Sequence, residues 1–148
     1  FQAATPLTKL SSAEDVLALS TRLKNATNTT NEYLVDARAQ ARFAGHEEPI
    51  DPIAGHIPGA VCLPFSENLD AQGFFKEPKD LAQRFIDLGL NLGQKDLAVT
   101  IYCGSGVTAI HNILAMRIAG FGEAALYADS WSGWIAHTSR PVATGLGN

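Results

Sequence analysis

Apolar residues along the chain fall into two kinds of pattern, short unbroken runs and helical periodicities, with polar or Gly/Pro-rich stretches between them. In "SSAEDVLALSTRL" (11–23), Ser12 precedes an acidic first turn, Glu14 and Asp15, and Val16, Leu17 and Leu19 supply an apolar side. That order predicts a helix with Ser12 as its N-cap, the acids facing the positive end of the helix dipole. "YLVDA" (33–37), "GAVCLPF" (59–65), "DLAVTIYC" (96–103) and "EAALYAD" (123–129) are continuous and short, as buried strands are. "PKDLAQRFIDLGL" begins on Pro78, places Leu81, Phe85 and Leu88 at helical spacing, and stops near Gly89. After Cys103, residues Val107, Ile110, His111, Leu114 and Ile118 recur at helical intervals, predicting a helix with these side chains on its apolar face and Gly120 at its end. "SWSGWIAH" reads as a short helix or turn. "NATNTTNE" and "GHEEPIDPIAGHIPGA" read as irregular connections.

Strand and helix alternate, which predicts an α/β class with a parallel sheet covered by helices on both faces. At 148 residues the chain fits one domain. Residues 1–32 form its lead-in segment and first helix, and residues 33–148 form the remainder. A 46% hydrophobic and 18% charged composition excludes a disordered chain. A net charge of −4 without any basic run argues against nucleic acid or an anionic membrane surface as partner. No apolar stretch approaches the roughly 20 residues of a membrane span. "FQAATPLTKL" lacks an initiator Met and a signal pattern, and reads as a domain cut from a longer chain. Cys62 and Cys103 form neither a CxxC motif nor a disulfide framework, which suits a reducing, cytoplasmic setting. The glycosylation triplets beginning at Asn25 and Asn28 then read as part of a polar loop.

Cys103 changes the picture. It stands at the carboxyl end of a predicted parallel strand, where open α/β sheets place their sites. Gly104-Ser105-Gly106-Val107-Thr108 follows and leads straight into a helix. Two glycines let the backbone curl so that successive amides converge, and the helix end adds its own unpaired N–H groups. A cysteine in that position is biased toward the nucleophilic thiolate. A phosphatase-type loop would need an arginine six positions after the cysteine, and Ala109 stands there, so a phosphoryl group would lack its charge partner.

"CGSGVTA" resembles the active-site loop of the rhodanese superfamily. "LVDARAQARF", "GHIPGAVCLPF", "LYADSWSGW" and "RPVATG" resemble the family's other landmarks, in order, over residues 33 to 145. The similarity is to the catalytic C-terminal domain of two-domain 3-mercaptopyruvate and thiosulfate sulfurtransferases. It implies a rhodanese-like domain with a mostly parallel sheet of about five strands. It also implies an N-terminal rhodanese-like domain in the parent chain, and no cofactor. Cys103 would accept a sulfane sulfur from a small anionic donor and pass it to a thiol or cyanide, thioredoxin among the acceptors. The amides of Gly104, Ser105, Gly106, Val107 and Thr108 would hold the anionic sulfur, with the hydroxyls of Ser105 and Thr108 assisting. Arg42 would engage the donor's anion through its guanidinium fork. The alternative within the family is a non-catalytic regulatory, sulfur-carrier or interaction module. Such modules commonly lose the cysteine, which this chain keeps.

Asp36 and Arg38 in "VDAR" read as a supporting ion pair, and His56 as the shaper of a turn between Gly55 and Pro58. His111 reads as a packed histidine and Cys62 as an inert buried thiol. Trp131 and Trp134 either line the cleft or pack the core. The four histidines show no ligand spacing, so no metal is expected. The loop after the cysteine resembles the mercaptopyruvate users, which predicts 3-mercaptopyruvate first and thiosulfate second. Those relatives carry a second arginine after the position of Arg42, whereas this chain has the acidic "HEEPIDPIAG" there.

Overall fold

The computed structural model describes residues 8–26, 31–94 and 96–146. In chain order the elements are β1 (Lys9–Leu10), α1 (Ala13–Asn25), β2 (Glu32–Asp36), α2 (Gln40–Phe43), β3 (Val61–Cys62), α3 (Pro78–Asp87), β4 (Ala98–Tyr102), α4 (Ala109–Ile118), β5 (Ala125–Leu126) and α5 (Ser130–Ile135). One 3₁₀ turn, Phe65–Asn68, follows β3. All strand pairs are parallel, in the order β1-β5-β4-β2-β3.

The period of the two central strands separates two cores. On β2 and β4 and just past their ends, Val35, Ala37, Val99, Ile101 and Cys103 face α3 and α4, where they meet Leu81, Phe85, Ile113 and Met116. Leu34 and Tyr102 face the other way, toward Val16 and Leu19 of α1 and Trp131, Trp134 and Ile135 of α5. A strand buried on both sides has no reason to alternate with polar residues, which accounts for the unbroken run in β4. Fully burying one such aliphatic or aromatic side chain contributes about 1.5–3 kcal/mol.

Ser12 closes a capping box on α1: its hydroxyl accepts the Asp15 amide, while the Asp15 carboxylate accepts the Ser12 amide. Pro78 starts α3, and Gly89 follows it in the left-handed region. Two elements go beyond the sequence expectation. β1 is two exposed residues paired with β5, and α2 is a single turn; neither carries a periodic signal.

The face of α4 reverses its prediction. Val107, Ile110, Leu114 and Ile118 are exposed and His111 is half-buried, while Ala109, Asn112, Ile113, Ala115, Met116 and Ala119 are buried. Both faces of this helix are apolar, so periodicity cannot choose between them. The sheet selects the face carrying Ala109, Ala115 and Ala119, whose small side chains let the helix backbone come close.

Candidate active site

Three loops meet at the carboxyl end of the sheet: those after β2, β4 and β5. Cys103 leaves β4 almost wholly covered, and it is one of the residues lining a cavity of about 180 Å³. Arg42, Ile50, Asp51, Gly104, Ser105, Thr108 and Ser132 complete the lining.

The loop after Cys103 turns donors inward. The Gly106 amide donates to Cys103 Sγ at 3.2 Å. Burial pushes the thiol up, but the Thr108 hydroxyl and the amides of Ala109, Ser105 and Gly106 outweigh it and hold Cys103 below the ordinary cysteine range. Gly106 has φ +84°, and a Cβ there would collide with the carbonyl oxygen of Ala128. The turn thus requires glycine for both its dihedral and its packing. Val107 is turned to solvent, 69% exposed, and does not line the cavity. Ala109, one residue beyond the anticipated loop, also supplies an amide.

The loop after β5 fastens the cysteine loop from behind. Ser130, with φ 53°, accepts the Cys103 amide at 3.1 Å and donates to the Tyr127 carbonyl at 2.9 Å. The Trp131 amide binds the Cys103 carbonyl and the Ser132 amide the Gly104 carbonyl, each at 3.0 Å. Neither serine carries a sequence signal beyond its place in "DSWSGW", since both act on the loop that follows the neighbouring strand β4.

The loop after β2 brings the charges. Asp36 and Arg38 form a buried ion pair at 2.7 Å, and Arg38 also reaches the Gly55 carbonyl at 2.6 Å and Glu48 at 3.3 Å. Its guanidinium lies 4.7 Å from the Trp131 ring centre. Arg42 pairs with Glu48 at 2.6 Å and Asp51 at 3.2 Å. Burial raises the Glu48 carboxyl, but hydrogen bonds from Arg42 and from the amides of Asp51 and Ile50 hold it below the ordinary range. The fork of Arg42 is therefore occupied: Nε and Nη2 face the two carboxylates. Nη1, which lies beside Gly104, has no acceptor among the described residues. The acidic stretch after Arg42 is what fills the fork.

The other candidates lie elsewhere. His56 stacks on Phe43 at 3.7 Å, binds the Phe43 carbonyl through Nδ1, and exchanges backbone hydrogen bonds with Ala143. Trp131 and Trp134 are core residues, their indole N–H groups donating to the Ile53 and Pro141 carbonyls. His111 sits between the Phe65 and Phe75 rings. Cys62 is half-buried, and burial with the nearby Asp36 charge pushes its thiol up to about 12. Among the described residues, no three His, Cys, Asp or Glu side chains could hold a metal ion, and no helix is long and apolar enough to cross a membrane.

A thiol held by main-chain donors between a central parallel strand and a helix defines a cysteine-centred α/β domain. The family model described as the rhodanese-like domain matches residues 19–137, and the chain belongs to that family. It is 55% identical over 112 residues to a Pseudomonas aeruginosa protein named "Probable 3-mercaptopyruvate sulfurtransferase", covering 76% of this chain and 39% of that one. It is 43% identical over 118 residues to the 3-mercaptopyruvate sulfurtransferase of Rattus norvegicus, covering 77% and 39%. A thiosulfate sulfurtransferase of Mus musculus is 40% identical over 105 residues, covering 69% and 34%. The aligned region thus spans between about a third and two-fifths of the length of these curated relatives. Among solved structures, the Tum1 protein of Saccharomyces cerevisiae superposes with a TM-score of 0.76 at 25% identity, covering 95% of this chain and 47% of that one.

Proposed function

We propose that this domain is a sulfurtransferase that carries sulfur as a persulfide on Cys103. The observation that carries the reading is the Gly106 amide donating to Cys103 Sγ at 3.2 Å where Cys103 lines a cavity, and the neighbouring donors that hold its thiol below the ordinary range support it. The names of the relatives support the same chemistry.

The Cys103 thiolate attacks the thiol sulfur of 3-mercaptopyruvate. A sulfur–sulfur bond forms, the carbon–sulfur bond breaks, and its electron pair leaves on carbon as the enolate, which takes a proton to become pyruvate. With thiosulfate, the thiolate attacks the outer sulfur and sulfite departs with the electron pair of the broken bond. In the second half, an acceptor thiolate or cyanide attacks the outer sulfur of the persulfide and returns Cys103 as thiolate. Two easier displacements replace one difficult transfer. The amides of Ser105, Gly106 and Ala109 and the Thr108 hydroxyl stabilise the sulfur anion in each resting state, and Nη1 of Arg42 receives the donor's anionic end. We take 3-mercaptopyruvate as the preferred donor and thiosulfate as the second. The two free thiols suit a cytoplasmic setting, and thioredoxin is a suitable acceptor class. In a longer parent chain, a second rhodanese-like domain would complete the outer wall of the cavity.

Mass measurement after incubation with each donor tests the reading. A gain of one sulfur on Cys103, absent in Cys103→Ser, is expected. No gain with either donor rejects it in favour of a non-catalytic module.

A further inference from the structure

The loop after β2, which lends Arg42 and Asp51 to the cavity lining, carries an unusual charge balance. Arg38 and Arg42 share Asp36, Glu48 and Asp51, so two guanidinia face three carboxylates in one connected chain of ion pairs. Asp36 and Glu48 are turned inward, 0% and 4% exposed in their side chains. Asp51 differs, because it lines the cavity itself. One of its oxygens accepts from Arg42 Nη2 at 3.2 Å and the other from the Ser132 hydroxyl at 2.7 Å. The Ser132 hydroxyl also lies 3.0 Å from the Gly104 carbonyl. A carboxylate is thus fixed in the wall of the space that must receive an anion, and of Arg42 only Nη1 has no acceptor among the described residues.

We propose that Asp51 is a specificity-determining residue that makes the cavity accept singly charged donors and resist dianions. The proposal rests on the reading that Cys103 receives sulfur from an anionic donor held by Arg42. A carboxylate in the cavity lining repels each unit of donor charge, so a dianion is penalised about twice as strongly as a monoanion. Main-chain amides compensate one negative charge at the sulfur, and Nη1 of Arg42 can meet one more at the far end. A second charge on the donor finds Asp51 instead. An α-keto acid thiol, with its single carboxylate, fits this pattern, and thiosulfate does not.

The test measures how well pyruvate, a monoanion, and sulfate, a dianion, protect Cys103 from the neutral reagent iodoacetamide. Pyruvate is expected to protect the unaltered chain at lower concentration than sulfate. Asp51→Asn is expected to strengthen sulfate protection about tenfold and pyruvate protection much less. Ser132→Ala removes the hydroxyl tether but keeps the charge, so the sulfate-to-pyruvate ratio is expected to stay as in the unaltered chain. An unchanged ratio in Asp51→Asn overturns the proposal, as does a ratio that shifts in Ser132→Ala, because the latter marks a tethering role. Failure of both anions to slow alkylation overturns it too. Raising the ionic strength on the unaltered chain supplies a reading free of folding defects: screening should narrow the preference, and widening overturns the proposal. Shifted protection ratios without sulfur transfer to Cys103 from any donor would leave charge selection standing and remove the transfer reading beneath it.

Discussion

The amide of Gly106 stands 3.2 Å from the sulfur of Cys103, and it can do so because residue 106 holds φ +84° against the Ala128 carbonyl. Gly106→Ala is expected to cost about 2–4 kcal/mol, from the left-handed dihedral and the collision together. Alkylation of Cys103 should also slow near neutral pH as the amide withdraws. Denaturant unfolding and iodoacetamide kinetics check both, and a variant as stable and as reactive as the parent would show that the turn tolerates a side chain.

The two cysteines should separate cleanly by pH. Cys103 lies below the ordinary thiol range and Cys62 is pushed up to about 12, so Cys103 alkylates first and its rate levels off at lower pH than a free cysteine's. The linkage has a definite sign. A thiol whose folded value is depressed contributes stability that is fully present above the unfolded value and is lost as pH falls through the folded one. Cys103→Ser should therefore flatten a small rise in stability between those two values. Peptide mapping of the alkylated chain across pH checks the order of reaction, and equal labelling of the two residues would contradict it.

Asp36→Ala should destabilise the fold by about 3–5 kcal/mol, because it leaves Arg38 buried with its closest counter-ion gone. Glu48 and the Gly55 carbonyl still touch that guanidinium, which keeps the loss within this range. Urea unfolding measures it, and a loss under about 1 kcal/mol would mean that the pair is not needed for folding.

The exposed and buried faces of α4 should differ sharply on truncation. Ile113→Ala empties a core position and should cost about 2–4 kcal/mol, whereas Ile110→Ala, at a side chain 54% exposed, should cost under about 1 kcal/mol. Equal losses in thermal unfolding would place both residues in contact with other groups.

Local signals in the chain were strong wherever one element carries its own instructions. Ser12 with Asp15, Pro78 at its helix start, and the unbroken run of β4 each act within a few residues, so reading them needs no partner. Other features depend on what lies across the sheet. Ser130 and Ser132 are ordinary serines until the loop after β5 is laid against Cys103 and Gly104. Arg42 is similarly ambiguous: the family resemblance implied a fork open to a donor, but much of the fork is filled once Glu48 and Asp51 fold back on it.

By itself, the sequence determined the alternation of strand and helix, the place of Cys103 at a strand end, and the glycines that let amides turn on its sulfur, because these are matters of local backbone freedom. Tertiary structure alone decided which face of α4 is buried, which hydroxyls anchor the cysteine loop, and how much of Arg42 is left for a substrate. Close approach between segments distant in the chain is set by packing and charge pairing in three dimensions, and no periodicity along the chain encodes it.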